Sequence, residues 1–290
     1  MLIETHAHLD YPDFADDFDD VLRRATEAGV TRIITIGTSV ESSKRAVNLA
    51  EKYPSIYAVI GVHPTYAEEA EEDVITPLRE LARSPRVVAL GETGLDYHRL
   101  PSLELTKERS TLATESIAKA FQYSTEKEIE AGIHDGAYKS KQASLFEQQL
   151  DLAVELGLNV VIHQRDAWND TIEIMRPYSG KVRGVFHCFG GTLEQANQVL
   201  DLDHLVSFTG IVTFKNGASV REVATKIPLW KFMVETDCPY LAPVPFRGKR
   251  CEPAYTRIVA ESIAAARGLS LEEIAEATTE TAGKFFRFHA

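Results

Sequence analysis

The sequence has little cysteine and no long apolar run. Three cysteines, Cys188, Cys238 and Cys251, are widely spaced among 290 residues, which excludes a disulfide-rich scaffold and favours a reducing compartment. No stretch approaches the roughly 18 consecutive apolar residues of a membrane helix. The opening residues MLIETHAHLD lack the basic and apolar segments of a signal peptide. We therefore expect a cytoplasmic protein with no membrane contact, and nothing in the sequence indicates an obligate protein partner.

The chain is also short of positive charge. It has 31 Lys and Arg against 43 Asp and Glu, a net charge of −12. Such a charge repels nucleic acid overall, so DNA binding would require a local group of basic residues. Hydrophobic residues make up 44% and charged residues 26% of the chain, which is typical of a globular protein and excludes a disordered one.

Short apolar segments recur along the chain, with helical patterns between them. The eight candidate strands are Leu2–Thr5, Thr31–Gly37, Ile56–Val62, Val87–Leu90, Asn159–Ile162, Gly184–Phe186, Leu205–Ile211 and Phe232–Val234. The segments are continuous rather than alternating in hydrophobicity, which favours a parallel sheet buried on both faces. The pattern predicts an α/β fold, a TIM (β/α)8 barrel with an extra C-terminal helix at Leu271–Phe288. An open doubly wound sheet is the alternative.

One segment, Leu100–Lys141, interrupts the alternation. It is polar and highly charged, and it follows the fourth candidate strand. No linker-like composition separates it from the rest, so we expect a single domain over residues 1–290 with an insertion at 100–141 in the connection after strand 4. Because it would start at the catalytic rim of a barrel, we interpret it as a wall limiting which nucleic acid enters. An appendage on the outer flank is the alternative.

Residues able to carry chemistry follow six of the candidate strands. They are His6 and His8 after the first strand, His63 after the third, Glu92 after the fourth, His163 and Arg165 after the fifth, His187 after the sixth, and Asp237 after the eighth. In a TIM barrel the carboxyl ends of all strands meet at one rim, which carries the active site. We therefore expect these side chains to converge.

The types of these residues indicate a metal site. His6 and His8 are two positions apart on a strand, so their side chains share one face and can reach the same ion. Imidazole suits Zn²⁺ and other first-row ions, whereas carboxylate also suits Mg²⁺ and Mn²⁺. Glu92 has two oxygens and could bridge two ions.

A second ion and a base complete the predicted centre. His163 and His187 end neighbouring strands and could hold a second ion. Asp237 could bind an ion, orient a water molecule and accept its proton. We therefore expect a centre of one or two divalent metal ions, with two per chain favoured and with Mg, Mn and Zn all compatible with the ligands.

Six motifs along the chain carry a resemblance to a known family. They are Thr5-His6-Ala7-His8-Leu9-Asp10, Gly61-Val62-His63-Pro64, Gly91-Glu92-Thr93-Gly94-Leu95-Asp96-Tyr97, His163-Gln164-Arg165, His187-Cys188-Phe189-Gly190-Gly191 and Glu235-Thr236-Asp237-Cys238-Pro239. In this order the chain resembles the TatD family of metal-dependent deoxyribonucleases, within the amidohydrolase superfamily. The match spans nearly the whole chain apart from the insertion.

The resemblance implies a TIM barrel that hydrolyses DNA phosphodiester bonds at a divalent-metal centre. It implies that His6, His8, Glu92 and Asp237 hold the first metal, and that Glu92, His163 and His187 hold the second. It further implies that His63 contacts the phosphate and that Asp237 is the base for the attacking water. The catalytic residues would then be Asp237, Glu92 and His63.

The sequence departs from the family pattern in three places. Glu4 stands where the family usually has Asp, Cys251 stands where it usually has Asn, and the insertion after Tyr97 is not typical. None of these departures removes a proposed metal ligand.

Several basic residues could form the local positive group that DNA binding requires on this acidic chain. Arg165, Lys249 and Arg250 follow strands 5 and 8 of the predicted barrel, so we expect them to bind substrate phosphates on the rim. The sequence thus predicts a metal-dependent deoxyribonuclease with DNA as its substrate. Two alternatives are an amide or ester hydrolase of the same superfamily and a non-catalytic metal-binding scaffold.

Overall fold

The computed structural model of the chain describes residues 1–98, 100, 102 and 125–288. Eight parallel strands form one sheet in the order of the sequence. The strands are β1 Leu2–Ala7, β2 Val30–Ile36, β3 Ile56–Ile60, β4 Val87–Asp96, β5 Asn159–Arg165, β6 Gly184–Phe186, β7 Leu205–Phe208 and β8 Phe232–Val234. At the seam, the Asp237 N–H donates to the His6 carbonyl and the His8 N–H to the Cys238 carbonyl, both at 2.9 Å. The predicted TIM barrel is confirmed.

Helices alternate with the strands and cover the outside of the sheet. Those that the described residues include are α1 Phe18–Glu27, α2 Val40–Lys52, α3 Ile75–Leu81, α4 Thr125–Leu156, α5 Trp168–Met175, α6 Leu193–Asp201, α7 Ala218–Lys226, α8 Thr256–Arg267 and α9 Leu271–Phe286. The short helix α3 was not predicted. Strands β1, β4 and β5 run past their predicted ends, so His6, Glu92 and His163 lie within strands rather than after them.

Helix α4 changes the description of the insertion. It begins at Thr125, inside the predicted insertion, and contains 32 residues. Residues 125–141 of the predicted insertion are therefore continuous with the helix that joins β4 to β5. Residues 103–124, which would form most of a wall or an appendage, lie outside the described residues.

The C-terminal helix closes one end of the barrel. Phe285 and Phe286 are fully buried and pack in one cluster with Ile34 of β2, Val161 of β5 and Met233 of β8. Inward-facing residues from strands all around the barrel join that cluster, so the aromatic pair plugs the barrel interior. The helix begins with a capping box in which Ser270 and Glu273 satisfy each other's backbone N–H groups.

Replacing Phe286 with alanine is expected to lower the free energy of unfolding by about 3–5 kcal/mol, because a large buried aromatic leaves a cavity. Urea unfolding followed by circular dichroism measures the change. Trp230→Ala is the matched control, since Trp230 is 67% exposed and its removal should change stability by less than about 0.5 kcal/mol. Equal effects of the two substitutions would contradict the role of the plug.

Candidate metal centre

Four side chains converge at the carboxyl end of the barrel around one point. The Nε2 atom of His6 lies 3.5 Å from Oε2 of Glu92 and 3.7 Å from Oδ1 of Asp237. The Nε2 atom of His8 lies 3.8 Å and 3.4 Å from the same two oxygens. Two imidazole nitrogens and two carboxylate oxygens thus face one another from three strand ends. This donor set suits a divalent ion such as Zn²⁺ or Mn²⁺.

The other carboxylate oxygen of Glu92 faces a second group of imidazoles. Its Oε1 atom lies 2.8 Å from Nδ1 of His163 and 2.7 Å from Nε2 of His187. These two ring nitrogens are 3.1 Å apart. Glu92 is therefore placed between two groups of candidate ligands, one on each oxygen. This is the arrangement expected of a carboxylate that bridges two ions.

The fold positions these residues through strand geometry and through one unusual backbone conformation. His6 and His8 are separated by one residue at the end of β1, so both side chains face the centre. Asp237 has a φ of +59°, in the left-handed region that few residues other than glycine adopt. Its N–H and carbonyl are both hydrogen-bonded, to the His6 carbonyl and to the Tyr240 N–H. Strained residues of this kind cluster at functional sites.

Hydrogen bonds outside the cluster fix which ring nitrogen faces it. The Nδ1 atom of His8 lies 3.2 Å from the Ile36 carbonyl, so Nδ1 donates and Nε2 is left as an acceptor. The Nε2 atom of His163 lies 3.3 Å from Oδ2 of Asp96, which leaves Nδ1 toward Glu92. Metal-binding histidines typically donate their other ring nitrogen to a carbonyl or a carboxylate in this way.

His63 has a different environment. The backbone N–H of Thr65 donates to its Nδ1 atom at 3.2 Å, so the neutral ring carries its proton on Nε2. That nitrogen lies 3.6 Å from Oε1 of Glu92, at the edge of the cluster. A protonated nitrogen is a donor rather than a metal ligand. Burial lowers the pKa of His63 to about 3, so the ring stays neutral at physiological pH.

Opposite effects act on the pKa values of the cluster. Burial alone would raise the pKa of Glu92, but the neighbouring imidazoles, His187 first, hold it well below its usual value. Burial likewise opposes ionisation of Asp237, but its contact with the His8 ring, at 3.4 Å, and the charges of the other imidazoles lower its pKa. Both carboxylates are therefore ionised at neutral pH, the state required for metal binding and for accepting a proton.

Buried polar atoms without partners support a metal at this position. Within the part of the chain that the structure describes, both ring nitrogens of His6 and Nδ1 of His187 are buried and make no hydrogen bond. The two rings stack with their centroids 4.0 Å apart. Buried polar groups are normally satisfied, and Nε2 of His6 faces two carboxylates, so this unpartnered nitrogen fits a ligand of a bound cation. The residues present therefore fit the metal that the sequence predicts.

Several supporting residues were missed by the sequence analysis. Asp96 orients His163, and Glu235 accepts a hydrogen bond from the Cys188 N–H at 2.6 Å, beside His187. Gln142 of α4 bonds to both the N–H and the carbonyl of Asp96. Asp96 and Glu235 lie in the same motifs as Glu92 and Asp237, so their place in the sequence could have indicated that they support the site.

Two buried side chains, those of Gln149 and Glu4, join segments that are far apart in the sequence, and no motif indicated these contacts. Gln149 of α4 accepts from the Val62 N–H at 2.8 Å and donates to the Val62 carbonyl, which fixes the chain just before His63. Glu4 accepts from the N–H groups of His6 and Thr236, and burial raises its pKa to about 8. Glu4, a departure from the family pattern, thus joins β1 to the segment after β8.

A cavity of about 1200 Å³ opens over the cluster. Its lining includes His8, His63, Glu92, His163, His187, Asp237 and Arg165. Lys249 and Arg250, which were predicted to bind substrate, are not among the lining residues. Arg250 instead forms ion pairs with Asp17, at 2.7 Å, and lies over the ring of Phe14. The structure brings Arg165 to the site but not the other two.

Comparison with known proteins gives the family. The model of the family described as TatD related DNase matches residues 3–287. The chain belongs to the TatD family. The predicted family is thus confirmed, and the protein is a metal-dependent hydrolase. No helix among its described residues is long and apolar enough to cross a membrane.

Individual TatD relatives cover the chain from end to end. A Bacillus subtilis protein, the uncharacterized metal-dependent hydrolase YabD, is 37% identical, with 100% of both chains covered. The 3'-5' ssDNA/RNA exonuclease TatD of Citrobacter rodentium is 32% identical, covering 98% of this chain and 97% of that one. The crystal structure of YJJV, a TatD homologue from Escherichia coli, superposes with a TM-score of 0.81 at 27% identity, covering 99% and 98% of the two chains.

Proposed function

We propose that the protein is a deoxyribonuclease that hydrolyses phosphodiester bonds with two divalent ions. The observation that carries this proposal is the position of Glu92, whose two oxygens face two separate groups of ligand atoms. The first ion would be held by His6, His8, Glu92 and Asp237, and the second by Glu92, His163 and His187. Paired ions of this kind are common in phosphodiester hydrolysis.

The chain's own residues supply positioning and proton transfer. Divalent ions bound there would polarise the phosphoryl oxygen and lower the pKa of a water molecule. Asp237 is ionised and 15% exposed, so its carboxylate is placed to accept the proton of the attacking water. His63 presents Nε2–H at the edge of the cluster, where it can donate to a phosphate oxygen.

Arg165 supplies positive charge to the same cavity. It ends β5, and its side chain makes no ion pair with any residue in the described ranges. A guanidinium binds phosphate oxygens in a bidentate manner, so Arg165 would hold a substrate phosphate near the ions. The contact would be local, which reconciles DNA binding with the net charge of −12.

Removal of metal tests the proposal directly. Dialysis against a chelator is expected to abolish cleavage of a labelled single-stranded oligonucleotide, and adding back Mg²⁺, Mn²⁺ or Zn²⁺ should restore it. Metal analysis of the purified protein gives the number of ions per chain. Full cleavage by a metal-free sample would contradict the proposal, as would a metal-loaded protein that cleaves amides or small carboxylic esters but no nucleic acid.

A further inference from the structure

The wall of the cavity between β4 and β5 carries a second positive side chain. Lys139 of α4 is half-buried and lines the same cavity as the metal ligands. Its ammonium lies 4.6 Å from the ring centroid of Tyr97, which directly follows β4. Lys139 lies within the predicted insertion at 100–141, and no role was predicted for it.

Tyr97 holds Lys139 next to Arg165. The Tyr97 N–H donates to the Arg165 carbonyl at 2.9 Å, so the two residues are backbone neighbours. The Tyr97 hydroxyl donates to Oδ2 of Asp170 at 2.8 Å, and this contact fixes the ring on which the ammonium rests. An ammonium group over the face of a tyrosine ring is attracted by the ring electrostatically, so Tyr97 keeps the Lys139 side chain in this position.

The carboxylates on this wall each contact a polar side chain, whereas neither cation contacts a carboxylate of the described residues. Asp170 accepts from Tyr97, Asp166 lies 2.8 Å from Nδ1 of His98, and Asp96 contacts His163. Lys139 and Arg165 make no ion pair with any residue of the described ranges. Within the described ranges, the wall therefore presents to the cavity two cations that have no ion-pair partner, beginning one residue after Asp96, which orients His163.

We propose that Lys139 binds a phosphate of the nucleic-acid strand adjacent to the one being cleaved, with Arg165 as its neighbour. This inference rests on the proposed nuclease function and deepens it by assigning a specificity-determining residue. A substrate with several phosphates would use the wall, whereas a substrate with a single phosphodiester would not reach it. Lys139 thereby favours oligonucleotides over small diesters.

Lys139→Gln tests the proposal, with Lys141→Gln as the matched control. Lys141 lies two residues further along α4, is exposed and is not a lining residue of the cavity. For a short single-stranded oligonucleotide, Lys139→Gln should raise KM about fivefold, with kcat changing far less. The ratio of kcat/KM for the oligonucleotide to that for bis(4-nitrophenyl) phosphate should fall by a similar factor. Lys139→Arg should restore most of the loss, and Lys141→Gln should match the parent.

Salt dependence separates phosphate contact from a structural effect. Binding is measured in an Asp237→Asn background, in which the DNA should stay intact. There, Lys139→Gln should make the slope of the logarithm of the binding constant against the logarithm of the salt concentration shallower by about 0.7, the value of one phosphate contact on a single strand. Equal KM values and equal slopes for Lys139→Gln and Lys141→Gln, with the parent cleaving the oligonucleotide, would overturn the role of Lys139 and leave the nuclease proposal intact. A metal-loaded parent that neither binds nor cleaves the oligonucleotide would overturn both.

Discussion

Replacing Asp237 with asparagine is expected to lower kcat by about 10²–10⁴-fold while the barrel stays folded. The amide keeps the shape of the side chain but cannot accept a proton from water, and it is a poorer metal ligand. The fold should survive because the backbone of Asp237, not its carboxylate, bonds to the His6 carbonyl. Asparagine also tolerates the left-handed conformation better than most residues.

Steady-state hydrolysis at saturating metal measures this effect, with thermal unfolding as the check on the fold. Asp166→Asn is the control, because Asp166 lines the same cavity but is 63% exposed and, among the described residues, forms an ion pair with His98 alone. It should retain activity within a fewfold of the parent. An Asp237→Asn variant within tenfold of the parent would assign the base to another group.

Much of this centre could be predicted from the sequence because the rule behind it is local. Continuous apolar segments mark parallel strands, and the residues that end them meet at one rim. His6 and His8 show the principle, since a spacing of two on a strand is enough to place both rings on one face. Their convergence with Glu92 and Asp237 follows from the closed barrel and not from any proximity in the sequence.

The remainder depends on contacts between residues far apart in the sequence. Gln149 bonds to Val62, 87 positions away, and Gln142 bonds to Asp96, 46 positions away. In the sequence, each glutamine is only a polar residue within a helix, and any other polar residue would fit the helical pattern equally well. The position of Arg250, predicted to contact phosphate, depends on such a distant contact as well. Arg250 follows β8 as expected, but it forms an ion pair with Asp17 at 2.7 Å, which the sequence pattern did not reveal.

If the protein has the proposed function, the cluster would also account for how an acidic protein presents positive charge to a polyanion. Five histidines of the nine in the chain face two carboxylates at the centre, so bound divalent ions would leave the cavity floor positive. Arg165 and Lys139 extend that charge along one wall. The remaining surface can stay acidic, which disfavours binding of nucleic acid anywhere except at the centre.

Replacing Glu92 with glutamine is expected to have the largest effect on metal content. One neutral amide would replace a carboxylate whose two oxygens lie within 2.7–3.8 Å of His6, His8, His163 and His187. Both proposed ions would lose a charged ligand at once, so the protein should bind fewer than two ions, and activity should fall by at least the 10²–10⁴-fold expected for Asp237→Asn. Metal analysis after gel filtration and hydrolysis at saturating metal are the two measurements.

Glu252→Gln provides the comparison, because Glu252 is also a buried carboxylate but pairs with Arg24 at 2.7 Å, away from the metal cluster. It should bind the same number of ions as the parent, and its free energy of unfolding should be lower, since Arg24 loses its charged partner. If Glu92→Gln keeps two ions per chain, Glu92 does not bridge them. If Glu92→Gln instead binds one ion and remains as active as the parent, a single ion suffices and the two-metal proposal is wrong.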